Sequence, residues 1–217
     1  MIEKTVLKQI ETEALERYTN RYKKFGVDAR SLGWGSSKDQ KIRFEVIYRN
    51  FDLEGKTIMD VGCGLADLYV YLKTKGVNIN YIGVDAIPDF VEYCKKQYPE
   101  QSFFCTNVMY DLKLPNPDVV IALGLLNFKL HTVDNFLYTK MFLKRMFDFT
   151  KAILITDFIS TYRTPEYPKE DHIFYHAPES VFEFSQTLTS NIRIYHDYKP
   201  NPQKEFMIAL FKGESND

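Results

Sequence analysis

The stretch Ile58-Met59-Asp60-Val61-Gly62-Cys63-Gly64-Leu65-Ala66-Asp67-Leu68-Tyr69-Val70-Tyr71-Leu72 decides how the rest of the chain is read. An apolar run ends in an acidic residue, Asp60. A turn with two glycines, Gly62 and Gly64, then leads into an amphipathic segment. The order is strand, turn, helix. Without Cβ atoms, the two glycines let the turn take unusual φ/ψ values and let a ligand approach the backbone closely. The plainer reading is a tight strand-to-helix turn with no ligand, and Asp85 weighs against it. This residue stands twenty-five positions after Asp60, at the end of Tyr81-Ile82-Gly83-Val84-Asp85-Ala86. A carboxylate there can accept two hydrogen bonds from a ribose diol. It also suits the start of a helix before Pro88, and both roles can hold at once.

The same alternation continues in both directions. Residues 3–24 read as a helix with Val6, Ile10 and Ala14 on one face. A loop follows with three glycines and the only tryptophan, Trp34. Ser37 and Gln40 have capping-box spacing, and a helix should run from there through Ile42, Val46 and Ile47 toward Asn50. Strands are expected at 56–62, 80–86, 102–107, 117–125 and 151–159. The first helix after the glycine turn covers 66–75 and is closed by Gly76. Pro88 opens the next one, where its missing N–H costs nothing. A long aromatic helix covers 133–150, an aromatic stretch 160–176, and a short helix begins near Pro178. The last strands, 191–198 and 205–212, are separated by the short turn 199–204 and suit an antiparallel hairpin.

Composition bounds the reading. The chain has 217 residues, with 45% hydrophobic and 26% charged, which suits one packed domain and excludes a disordered chain. A formal net charge of −1 argues against a protein built to coat nucleic acid. No run of ~18 apolar residues exists, so no membrane span is expected. The charged N-terminal stretch lacks the apolar core of a signal peptide. The C-terminal residues 213–217 resemble no lipidation signal. Cys63, Cys94 and Cys105 form no CxxC pair, so no metal site and no disulfide framework is expected. A reduced, cytoplasmic protein is the expectation.

Two nucleoside cofactors fit the turn and Asp85: a dinucleotide such as NAD, or S-adenosylmethionine. A dinucleotide turn wants a third glycine where this chain has Asp67. An aspartate repels a pyrophosphate but favours the cationic sulfonium and ammonium of S-adenosylmethionine. At this point the chain resembles the class I S-adenosylmethionine-dependent methyltransferases. Their first motif is an acidic residue followed by x-Gly-x-Gly-x-Gly. Here it reads Asp60-Val61-Gly62-Cys63-Gly64-Leu65-Ala66, departing only at Ala66. The resemblance covers about residues 40 to 212. It implies an α/β fold, a doubly wound Rossmann-like seven-stranded sheet, mostly parallel, with a C-terminal antiparallel hairpin. The crossovers should be right-handed and the ligand should lie at the carboxyl ends of the strands. The whole chain, 1–217, is then one methyltransferase domain. Residues 1–40 form an N-terminal helix and a pocket-capping segment. Residues 41–217 form the core, with a lid-like insertion at about 160–177.

The resemblance also implies site residues. Asp60, Gly62, Cys63 and Gly64 form the cofactor turn, and Asp85 with Ala86 takes the ribose. The family usually offers an acid to the adenine amino group at the end of the third strand. Here Asn107 stands there and offers its side-chain oxygen, with Val108 beside it. Leu123 and Gly124 line the methionine end. A subset of bacterial small methyltransferases carries a similar Trp–Gln–Arg–Phe stretch before the first strand. By that likeness Arg43 pairs with the cofactor carboxylate and Trp34 closes the pocket. The cofactor implied is S-adenosylmethionine, with S-adenosylhomocysteine as product.

Methyl transfer from a sulfonium needs a base only if the acceptor must lose a proton. Candidate catalytic residues are Asn127, to orient an acceptor, and His131, as base. Phe128 stands where some relatives use a histidine. A second candidate base is His172, in the long stretch after the fifth strand, which also holds Tyr175 and His176. His172 and His176 lie four apart, but Pro165, Pro168 and Pro178 argue against helix and hence against a metal pair. A small-molecule acceptor bearing a hydroxyl or amine is expected: a metabolite, a sugar or a natural-product intermediate. Neither a membrane nor a nucleic-acid partner is expected, and the protein is taken as a monomer or homodimer. The alternatives are an RNA or protein methyltransferase using Arg21, Lys23, Lys24 and Arg30, an NAD-dependent oxidoreductase, and a non-catalytic cofactor-binding module.

Overall fold

The structure, a computed structural model, describes residues 4–110, 114–198 and 205–213. The chain divides into two compact units, one ending at Leu114 and one beginning at Pro115.

The N-terminal unit begins with α1 (Lys4–Phe25), a 3-10 turn over Ala29–Leu32, and α2 (Ser37–Asn50). Then β1 (Thr57–Val61), α3 (Asp67–Thr74), β2 (Asn80–Asp85), α4 (Pro88–Gln97) and β3 (Ser102–Cys105) alternate. The strands run parallel in the order β3-β2-β1. Strand β2 is in the middle and buries Tyr81, Ile82 and Val84. Gly83 faces the ring of Phe103, which a Cβ would meet at 2.5 Å, so this strand position admits no side chain. Helix α4 starts at Pro88, as expected, and turns Phe90, Val91 and Cys94 inward. Helix α2 buries Gln40, Arg43, Phe44 and Ile47, the spacing of one helical face. Its cap corrects the expected register. Ser36, not Ser37, caps the helix, accepting from the Asp39 N–H, while Gln40 points inward.

The C-terminal unit holds β4 (Val119–Ala122), α5 (Asn135–Phe149), β5 (Ile153–Ile159), α6 (Pro178–Gln186), β6 (Ile192–Tyr195) and β7 (Glu205–Phe211). Strands β4 and β5 are parallel, β7 is antiparallel to β5, and β6 is antiparallel to β7. Strands β4, β5 and β7 read as continuous apolar runs because they are buried along almost their whole length. Helix α5 buries Phe142, Leu143 and Met146 completely, each contributing about 1.5–3 kcal/mol of transfer free energy. Asp134 caps it by accepting from the Leu137 N–H. The expected turn at 199–204 lies outside the described residues.

The aromatic stretch 160–176 is not helical, as its prolines require. Its second half is pinned by backbone hydrogen bonds. Phe174 donates to the Asn127 carbonyl at 3.0 Å, Lys129 to that of His172 at 3.0 Å, and His176 to that of Ile159 at 2.8 Å.

Candidate functional site

The glycine turn explains its own spacing. Gly62, Gly64 and Ala66 have φ of +75°, +52° and +61°, so every second residue of the turn is left-handed. Ala66 is the only non-glycine with positive φ among the described residues. An L-residue in that conformation costs roughly 1–2 kcal/mol, which is why small residues alone recur at this period. The turn is fastened on several sides. The N–H groups of Gly62 and Cys63 donate to the Val84 carbonyl at 2.8 and 3.2 Å, and the Ala66 N–H to the Cys63 carbonyl at 2.9 Å. The Cys94 thiol donates to the Gly64 carbonyl at 3.2 Å. Helix α3 then begins with no side-chain cap, so its first N–H groups face the turn.

Asp85, at the end of β2, ties the strand to this turn. One carboxylate oxygen accepts from the Gly64 N–H at 2.9 Å and the other from the Ile87 N–H at 2.9 Å. These bonds favour the ionised form, yet packing around the group outweighs them and pushes its pKa up to about 6. Asp60 is buried in β1 and accepts from the Tyr81 hydroxyl at 2.6 Å. Burial pushes it up to about 7. Asp67 is also raised by burial, against a hydrogen bond from the Gln40 amide at 3.0 Å. The Cys94 thiol beside it, together with burial, holds the Cys63 thiol well above its ordinary range. The turn therefore gathers acidic groups whose charge the unit resists, an environment that favours a cationic ligand.

The segment before β1 meets the turn. A Cβ on Gly64 would lie 2.6 Å from the Leu32 side chain. The guanidinium of Arg43 is buried and stacks over the Trp34 ring at 4.2 Å, while its Nη1 donates to the Asp39 carbonyl at 2.6 Å. Trp34 and Arg43 thus come together as one stacked pair, and Arg43 is no solvated surface residue. Ala86 follows Asp85 and its backbone carbonyl lies 3.9 Å from the Cys105 sulfur. After β3, the Asn107 side-chain oxygen accepts from the Met109 N–H at 2.9 Å, and Val108 is buried. The expected adenine acceptor therefore already holds a local turn, which leaves it one further lone pair.

In the C-terminal unit, Leu123 is half-buried after β4. Gly124, at φ +70°, donates its N–H to the Asp157 carboxylate at 2.6 Å. The Asn127 side chain is buried and its oxygen accepts from the Ile159 N–H at 2.8 Å. Its observed work is to hold the loop after β4 against the end of β5. His131 is exposed. His172 is also exposed, with its ring nitrogen 3.7 Å from the Glu170 carboxylate. His176 goes elsewhere: its ring is buried between Phe158 and Phe174, and Nε2 meets the Thr139 hydroxyl at 2.9 Å. Burial pushes its pKa down to about 3. The two histidines do not form a pair, and the described residues contain no group of three metal-ligating side chains.

Reading the sequence missed Asn135. Its side chain accepts from the Leu130 N–H at 3.0 Å and donates to the Phe128 carbonyl at 2.7 Å, bracing the same loop. It also passed over Tyr18 and Tyr22, which continue the Ile10–Ala14 face at four-residue steps and pack on Phe90. Extending that periodicity by two turns would have found them.

Comparison with known proteins fits this geometry. Residues 59–147 match the family model described as a methyltransferase domain. A magnesium protoporphyrin IX methyltransferase from Synechocystis PCC 6803, with bound S-adenosylmethionine, superposes with a TM-score of 0.62 at 15% identity, covering 98% of each chain. A TehB-like S-adenosylmethionine-dependent methyltransferase from Corynebacterium glutamicum gives 0.59 at 18% identity, covering 94% of this chain and 100% of its own. The small RNA methyltransferase HEN1 gives 0.60 at 16% identity over 82% of this chain and 25% of its own. No curated protein matches. The fold is the Rossmann-like, mostly parallel seven-stranded one with antiparallel C-terminal strands. Residues 59–147 thus match a methyltransferase domain, and the chain shares its fold with S-adenosylmethionine-dependent methyltransferases. No helix among the described residues is long and apolar enough to cross a membrane.

Proposed function

We propose that this methyltransferase acts on a hydroxyl or amine of a small-molecule acceptor and holds its cofactor on the glycine turn. One observation carries the cofactor half: the Asp85 carboxylate, fixed by the Gly64 N–H at 2.9 Å, stands beside a turn of three left-handed residues. When bound, S-adenosylmethionine supplies an electrophilic methyl group and its own leaving group. Asp85 and Ala86 take the ribose. Gly62, Cys63 and Gly64 bring the backbone close. Asp60 and the turn favour the cationic end. The Arg43 guanidinium, oriented by Trp34 and Asp39, receives the cofactor carboxylate. Asn107 and Val108 flank the adenine.

Positioning supplies most of the catalysis in this reading. Asn127 holds a loop, and His131 and His172 are exposed side chains that serve only an acceptor needing proton removal. Three of the four basic residues of an RNA reading are drawn into local contacts. Arg21, Lys24 and Arg30 all lie over the ring of Phe25, and Arg30 pairs with Asp28 at 2.8 Å. A small acceptor is therefore favoured, in a protein that works in the cytoplasm.

The test has two stages. Thermal shift with S-adenosylhomocysteine should stabilise the chain, by about 2.7 kcal/mol at ~100 times the dissociation constant. Asp85→Ala should weaken that binding at least tenfold with unchanged circular dichroism. Labelled methyl transfer into fractionated metabolites and into total RNA then separates the acceptors. Label in RNA alone would overturn the small-molecule reading.

A further inference from the structure

Tyr18 stands where α1 passes the cofactor turn. With Leu15, Tyr22 and Leu32 it packs against Leu65, Ile87 and Phe90. Leu65 belongs to the glycine turn, and Ile87 is the residue whose N–H Asp85 holds. The phenol ring is fixed edge-on to Phe90, with centroids 6.4 Å apart at 66°. Its hydroxyl runs beside the backbone that joins Leu32 to Trp34, since a Cβ on Gly33 would lie 4.0 Å from the hydroxyl oxygen. Leu32 in turn lies against Gly64. Asp85 is within electrostatic reach of the phenol. Among the described residues the hydroxyl has no hydrogen-bond partner.

The helix that carries it is tied down beside other parts of the same site. The Tyr110 hydroxyl, three residues after Asn107, donates to the Glu11 carboxylate at 2.7 Å. Arg21 Nε donates to the Arg30 carbonyl at 2.8 Å. Tyr22 closes edge-on onto Phe90, with centroids 5.5 Å apart. A rigid aromatic held in this way loses little rotamer freedom when its hydroxyl takes a ligand.

The chemistry selects what that hydroxyl meets. A ribose hydroxyl that donates to Asp85 keeps lone pairs on its oxygen, and these need a donor. A carboxylate has no proton to give. Burial raises the phenol's pKa, so Tyr18 keeps its proton and is a donor at neutral pH. We propose that Tyr18 is a positioning residue for the cofactor, its hydroxyl donating a hydrogen bond to the ribose hydroxyl that Asp85 holds. The proposal rests on the ribose role given to Asp85 above.

Calorimetric titration of the full chain with S-adenosylhomocysteine, and with its 2′-deoxy and 3′-deoxy analogues, tests it. Tyr18→Phe keeps the ring and should leave the melting temperature of the unliganded protein unchanged. It should weaken S-adenosylhomocysteine five- to tenfold. On one deoxy analogue, wild type and Tyr18→Phe should bind alike within twofold. A purely structural role would weaken all three ligands equally, and that outcome overturns the proposal. Unchanged affinity of Tyr18→Phe for S-adenosylhomocysteine overturns it as well. Asp85→Asn in the same titrations separates the two readings. If Asp85→Asn loses affinity and Tyr18→Phe does not, only the Tyr18 proposal fails. If Asp85→Asn binds as wild type does, the ribose assignment fails and takes the Tyr18 proposal with it.

Discussion

Two glycines in this chain do the same mechanical work in different surroundings. Gly64 follows β1 and gives its N–H to Asp85 at the end of β2. Gly124 follows β4 and gives its N–H to Asp157 in β5. Both have positive φ, and both turn the chain sharply off a buried strand. Around Gly64, acidic groups raised by burial accumulate: Asp60, Asp67 and Asp85. Around the loop after Gly124, neutral side chains take partners within the fold. Asn127 holds Ile159, Asn135 holds Leu130 and Phe128, and His176 meets Thr139. The first surroundings favour a cation from outside. The second fix a loop's shape mainly through neutral side chains, with the Asp157 carboxylate engaged by the Gly124 N–H. A cofactor shared by many enzymes leaves a repeated backbone pattern, whereas an acceptor particular to one enzyme is met by loop side chains that follow no pattern.

Gly64→Val should disturb the first of these surroundings most. Its φ of +52° and the Leu32 side chain at 2.6 Å leave no room for a branched residue. Binding of S-adenosylhomocysteine should fall at least ~100-fold, about 2.7 kcal/mol. Near-normal affinity by calorimetry would show that the turn does not carry the cofactor.

Asn127→Ala probes the other loop. It leaves the Ile159 N–H without its partner and should cost about 1–3 kcal/mol in urea unfolding. S-adenosylhomocysteine affinity should change less than the stability does. A large loss of affinity with unchanged stability would make Asn127 a ligand contact instead of a brace.

The two surroundings should also respond oppositely to pH. Asp60 and Asp85 titrate at about 7 and about 6 in the fold, against an ordinary 3.8. The fold keeps protons that the unfolded chain releases, so these groups lower stability as pH rises from about 4 to 7. His176 titrates at about 3 against 6.5. There the unfolded chain binds a proton that the fold refuses, so stability falls as pH drops below 6.5 toward 3. One such group contributes roughly 1.4 kcal/mol per pH unit within its window. Melting curves across pH 4–8 should show Asp60→Asn flattening the loss on the alkaline side and His176→Gln flattening the loss on the acid side. Unaltered slopes in both variants would remove the contrast. S-adenosylmethionine, a cation, should restore most stability where the acids ionise.

The smallest effects are expected at the exposed histidines. His131→Ala and His172→Ala should each keep more than a tenth of wild-type kcat. A loss of 100-fold or more in either would identify a general base, since such groups contribute about 10²–10⁴-fold.

The alternation of strands and helices, the place of the glycine turn and the acid at the end of β2 follow from the amino-acid sequence alone. These are local: a period, a pair of glycines and a strand-end carboxylate are legible from neighbours in the chain. The reason Ala66 can replace a glycine was not legible, because its φ of +61° appears only in three dimensions. Nor was the cap of α2, where Ser36 and Ser37 compete within one residue and the inward turn of Gln40 toward Asp67 decides. Tertiary structure alone separated His172 from His176. One is exposed beside Glu170, and the other is buried between two aromatic rings and kept neutral. Tertiary structure also brought Trp34 onto Arg43, and Tyr18 into reach of Asp85 from sixty-seven residues away. Hydrophobic periodicity specifies which face of an element turns inward, but burial and hydrogen bonding, which set a side chain's charge and partners, depend on what other elements bring to that face.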